Sequence, residues 1–253
     1  MDITYKFPGV KYSVDSIIEF QEESNWWRES FFHFYPQVNI GKFDSLSPHQ
    51  RNEYLQNFLD ELYNKDDAKS DIDSKLIKYN DHWNLHKNQI EDAFSEAFHC
   101  DAKNTFNNMV CNISFNPICP RYLNSRSFDI FYLNSEFGAL GISLHEIIHF
   151  LWFDVWNRHF NDSDLEYETP HLKWVLSEMV VDPIMRKDIR LSGVSPYFED
   201  GCAYACFYSM IINEKPILQT LYEMYNRLSL IDFMEQGYGY CEKYETEIRS
   251  QMD

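Results

Sequence analysis

One segment of the 253-residue chain restricts its fold more than any other. Residues 138–153, GALGISLHEIIHFLWF, are apolar on nearly every side of a helix, and such a helix belongs in a protein interior. Yet the segment carries His145, Glu146 and His149. Burying two imidazoles and a carboxylate without partners costs about 1–3 kcal/mol per group or more. The fold must therefore build something around them. A spacing of four places His145 and His149 on one helical face, close enough for both rings to reach one metal ion. Glu146 projects beside that ion, towards its open position. A metal resolves the burial cost directly; a hydrogen-bonded polar core cluster is the other way to resolve it.

A hydrolytic zinc site takes three protein ligands and leaves a fourth position for water. The third ligand is sought on another element. A helix is expected from about Thr169-Pro170, which read as N-cap and first helical residue. It contains WVLSEMVVD, residues 174–182, in which Glu178 stands alone among apolar neighbours. A lone carboxylate is expensive there, so Glu178 is assigned as the third ligand. Asp182 shares its helical face. Other pairings are weaker. His82 and His86 have the same spacing but no Glu at 83, and read as structural. His159 and His171 lie in or beside a polar run and read as surface or capping residues. Cys202 and Cys206 share a face without a nearby His, and read as buried thiols.

The pattern His145-Glu146-x-x-His149 followed by Glu178-x-x-x-Asp182 resembles the gluzincin, thermolysin-like branch of the zincin metallopeptidases. The resemblance covers about residues 73–190. It implies that His145, His149 and Glu178 bind one Zn2+ per chain and that Glu146 is the catalytic general base and proton shuttle. It further implies that Asp182 holds His145 through the other ring nitrogen. Asp182 also precedes Pro183, so capping a new turn that starts at Pro183 is a second role open to it. The interval from His149 to Glu178 is longer than in that family, with residues 157–168 as the expected insertion. Val155 and Trp152 stand where a metzincin has His and Gly. The family's transition-state-stabilising Tyr or His is not singled out; Tyr197, Tyr204, Tyr208 and Tyr240 are all open.

Around this segment the pattern reads as α+β, mostly helical: a zincin-like core with a small β-sheet, an active-site helix and a downstream Glu-ligand helix. Helices are expected over 14–30, 47–63 and 73–99, with a loop over 37–48 and an exposed polar linker over 64–73. Strands are expected over 110–115 and 128–133, then helices over 138–160, 170–190, 200–212, 215–234 and 238–250. The strand 128–133 would form the cleft rim and hold an extended peptide by its edge. Three consecutive parts follow: a helical segment 1–70, a metallopeptidase core 71–190 and a helical subdomain 191–253.

Composition narrows the partners. The 43 Phe, Tyr and Trp residues, with only 8 Gly and 9 Pro, exclude a disordered or collagen-like chain. A net charge of -18 argues against nucleic acid, which needs clustered Lys and Arg, and favours cationic or neutral partners. No secretory signal and no membrane-spanning run are visible, and six cysteines without a Cys-x-x-Cys pair fit a reducing compartment. A soluble cytoplasmic protein acting on a peptide or protein substrate is expected, the alternative being an idle zincin-fold module that binds a protein partner.

Overall fold

The computed structural model describes residues 1–21, 25–65, 68–160, 164–194 and 202–252. The chain is mostly helical with a small sheet, as α+β patterning predicts. It forms two compact units, each drawn from more than one stretch of the sequence. The sheet unit comprises residues 2–85 and 107–142; the helical unit comprises Met1, 86–106 and 143–253. Among the described residues no helix is long and apolar enough to cross a membrane.

In the sheet unit, β1 (Ile3–Lys6), β2 (Met109–Ser114), β3 (Arg121–Tyr122) and β4 (Ser127–Phe131) form one sheet in the order β1-β2-β4-β3. The expected strands 110–115 and 128–133 correspond to β2 and β4, which run parallel with Cys111 opposite Phe128 and Ile113 opposite Ile130. Both are buried along nearly their whole length, as strands of a covered parallel sheet are. The expectation that 128–133 offers a free edge is corrected. β4 lies between β2 and β3, and the Asp129 N–H is already donated to the Pro120 carbonyl at 2.9 Å. β1 is an additional strand, parallel to β2, whose four residues alternate buried and exposed.

The helices of this unit supply an aromatic core. The expected helix 14–30 is two helices, α1 (Val10–Phe20) and α2 (Asn25–Phe34), and the expected loop 37–48 contains a short helix, α3 (Ile40–Ser45). Phe31 stacks on Trp27 and touches Tyr35 and Phe43, while the Tyr35 hydroxyl donates to the Phe115 carbonyl at 2.6 Å. Ser47 opens α4 (Pro48–Lys65) with a reciprocal capping box: its N–H donates to Gln50 Oε1 at 3.0 Å, and the Gln50 N–H returns to its hydroxyl at 3.5 Å. The polar run 64–73 is helical at both ends, because α5 (Ala68–Phe98) begins earlier than its apolar stripe; residues 66–67 lie outside the described ones.

The helical unit holds most of α6 to α8: α6 (Ala102–Thr105), α7 (Glu136–Phe160) from Ser143 onward, and α8 (Leu172–Lys187). α7 is fixed by large rings: Trp152 meets Phe233, Trp156 meets Tyr238, and Phe153 stacks on Tyr167 with centroids 4.2 Å apart. α8 packs against the helices Ile217–Arg227 and Leu230–Lys243, and Leu172 through Met185 are buried except Trp174. Its first residue is Leu172, after His171 at the N-cap, rather than Pro170. α8 also continues through Pro183, so Asp182 lies inside the helix and caps no new turn. Part of the long His149-to-Glu178 interval is simply helix, because α7 runs on to Phe160.

Candidate metal centre

Helical periodicity in α7 brings the His145 and His149 rings edge to face, with centroids 4.7 Å apart. α8 supplies Glu178 from across the unit. His145 Nε2 lies 2.9 Å from His149 Nε2 and 3.2 Å from Glu178 Oε2, and His149 Nε2 lies 3.3 Å from the same oxygen. Among the described residues this is the one cluster of three or more His, Cys, Asp or Glu side chains whose ligand atoms converge. His149 is fully buried and Glu178 nearly so, while the His145 side chain keeps 21% of its surface exposed. The cluster therefore meets solvent on the His145 side.

The hydrogen-bond directions decide what such a triangle can hold. His145 Nδ1 lies 2.9 Å from the Cys202 carbonyl oxygen, which can only accept. Nδ1 therefore carries the proton, and a neutral His145 presents a bare lone pair at Nε2. That lone pair faces a carboxylate oxygen and a second imidazole nitrogen. Either a proton or a cation must occupy the space between them. Ligands of a tetrahedral ion at about 2.0–2.1 Å stand roughly 3.3–3.4 Å apart, close to the spacing here. Two imidazole nitrogens and one carboxylate oxygen are a fitting donor set for a first-row divalent metal, and a hydrogen bond from the outer ring nitrogen is how metal-bound histidines are held.

Electrostatics give the same picture with the proton in place of the metal. Burial opposes a charged His145, but the hydrogen bond to Glu178 and the nearby Glu146 and Glu178 charges outweigh it and raise its pKa above the ordinary imidazole value. Burial likewise opposes a charged Glu178; the two imidazoles overcome it and hold the carboxyl well below its usual range. Glu146 is buried, 5% exposed, beside the first His and near enough for its charge to act on that ring.

Asp182 is not the partner of His145 Nδ1; that place belongs to the Cys202 carbonyl. Asp182 instead accepts from Arg186 at 2.7 and 2.5 Å, and its Oδ1 accepts the Tyr208 hydroxyl at 2.9 Å. The direct contact expected of Asp182 is thus made by a backbone carbonyl, and the Asp182 oxygens are taken by Arg186 and Tyr208. No side-chain pattern marks such a carbonyl, so sequence reasoning misses it.

The remaining candidates fall elsewhere. His82 is half-buried against the Phe137 ring, and His159 and His171 are exposed. Cys202 and Cys206 are free and half-buried; burial pushes the Cys202 thiol up to about 12. Of the four tyrosines, Tyr204 lies against Trp174 and Phe207, Tyr240 lies against Tyr244, and Tyr197 lies outside the described residues. The Tyr208 hydroxyl is engaged by Asp182 and by the N–H groups of Cys202 and Ala203.

No protein-family model, curated protein or solved structure matches the chain.

Proposed function

We propose that the chain is a zinc-dependent metallopeptidase, with His145, His149 and Glu178 as zinc ligands and Glu146 as general base. One observation carries the reading: three ligand atoms converge within 3.3 Å of one another while the outer nitrogen of His145 is held protonated by a carbonyl. Zinc, when bound, supplies Lewis acidity that polarises a carbonyl and acidifies water. His145, protonated at Nδ1, would offer its Nε2 lone pair, His149 would offer its Nε2 beside it, and Glu178 would add the negative charge that suits a divalent ion. The Glu146 carboxylate, next to the first ligand, takes a proton from water and returns it to the leaving amine. Exposure of the His145 edge leaves a route for substrate. The charge of -18 favours neutral or cationic peptides over acidic ones.

The test is cleavage of a mixed, quenched-fluorescence peptide library by zinc-loaded protein. Chelation should abolish turnover. Glu146→Gln should lower it by about 10²–10⁴-fold while elemental mass spectrometry still finds about one zinc per chain. Undiminished cleavage by Glu146→Gln would sink the mechanism. A zinc-loaded wild type that cleaves nothing would leave a metal-holding, protein-binding module instead.

A further inference from the structure

We infer that Tyr208 is a positioning residue for the metal centre, acting with Asp182 through the backbone of Cys202; the inference rests on the metal-site reading above. The hydrogen bonds between them leave little freedom of direction. The Asp182 carboxylate, 2% exposed, accepts from Arg186 and from the Tyr208 hydroxyl at 2.9 Å. A tyrosine has one hydroxyl proton. Having given it to Asp182, the Tyr208 oxygen can only accept, and it accepts the N–H groups of Cys202 at 2.8 Å and Ala203 at 3.2 Å. Those two bonds pin residues 202–203, whose Cys202 carbonyl takes the Nδ1 proton of His145 at 2.9 Å. The His145 tautomer, and hence the lone pair offered to the metal, is thus set by a chain that begins at Arg186.

Asp182 and Tyr208 therefore work at one remove from the ligand, through a loop. Tyr208 comes from the short helix Ala205–Ser209, six residues after Cys202, so the strap closes on itself. By linkage, what the strap does for the metal the metal must do for the strap. Metal binding should order the loop, and loosening the loop should weaken the metal.

The experiment measures zinc affinity by competition with a chromophoric chelator, and amide hydrogen exchange at Cys202 and Ala203 with and without zinc. Removing a group that orients a metal ligand costs 10–100-fold in affinity. Tyr208→Phe is expected near the lower end, about tenfold, with its metal-free melting temperature close to that of the wild type. Asp182→Asn keeps an acceptor for the hydroxyl and should retain most of the affinity that Asp182→Ala loses. Tyr240→Phe, in which the lost hydroxyl belongs to a ring tilted against Tyr244, should match the wild type. Zinc should slow exchange at both amides in the wild type and not in Tyr208→Phe. If Tyr208→Phe does not fold, the two Asp182 variants carry the same comparison. A zinc-binding wild type whose Tyr208→Phe variant has equal affinity overturns this inference alone. A wild type that takes up no zinc overturns the metal reading and this inference with it.

Discussion

Asp129 in the sheet unit and Glu178 in the helical unit are both carboxylates withdrawn from water, 0% and 3% exposed. Their neighbours are of opposite kinds. Asp129 Oδ1 accepts the Tyr12 hydroxyl at 2.7 Å and the Asn112 amide at 3.0 Å. Both donors carry their own hydrogens, and burial together with the Asp129 charge raises the Tyr12 pKa, so the phenol keeps its proton. Glu178 meets two imidazole nitrogens, one of them committed by the Cys202 carbonyl to presenting a lone pair. A buried acid is therefore not by itself a sign of metal. What matters is whether the groups around it donate or accept. Asp129 Oδ1 is met by donors of the chain itself; Glu178 and its histidines need a cation or a captured proton between them.

Three measurements bear on this contrast. The largest effect is expected on zinc uptake: Glu178→Ala should weaken zinc binding by more than the roughly 100-fold upper range for an orienting residue, and Asp129→Ala should leave it unchanged. Equal zinc affinity in the two variants, measured by chelator competition, would erase the distinction. Next in size is stability. Asp129→Ala removes the acceptor of the Tyr12 hydroxyl and one of the two Asn112 amide bonds, leaving the bond from Asn112 to the Tyr12 oxygen at 2.9 Å, and should cost about 1–3 kcal/mol in denaturant unfolding of metal-free protein. A loss under about 0.5 kcal/mol would mean that water replaces the carboxylate.

The smallest effect is a change of sign with pH. A His145 pKa raised in the folded state contributes stability that is complete below the unfolded value of about 6.5 and is lost as pH rises through the folded value. Glu178, held low, stays ionised across that window. With saturating zinc the proton competes with the metal, so the stabilisation by zinc should grow over the same pH range. Melting curves at about pH 6 and 8, in chelator and in zinc, should therefore slope in opposite directions. Parallel slopes would mean that zinc and the proton do not share a site.

Much of the centre was legible before the fold. A helix repeats every 3.6 residues, so the spacing of His145 and His149 determined their common face. The apolar setting of 138–153 and of 174–181 determined that Glu146, His149 and Glu178 would be buried, because such helices are covered on nearly all sides, while His145 keeps one edge exposed. Those are local properties, written in consecutive residues.

Other features depended on groups far apart in the chain. The parallel pairing of β1 with β2 joins residues 3–6 to 109–112, and a four-residue strand carries too little period to announce itself. β4 reads as a possible edge until β3 is seen beside it. Asp182 lies four residues after Glu178 as the motif suggests, yet its partners are Arg186 and Tyr208. Tyr208 was one of 17 tyrosines, and the Cys202 carbonyl one of 253 backbone carbonyls with nothing to distinguish it. Runs of consecutive residues set which helical segments are covered and which polar side chains share a face. Which distant donor meets which acceptor follows from the packed chain alone, because a hydrogen-bond partner is chosen by proximity in space and leaves no period along the chain.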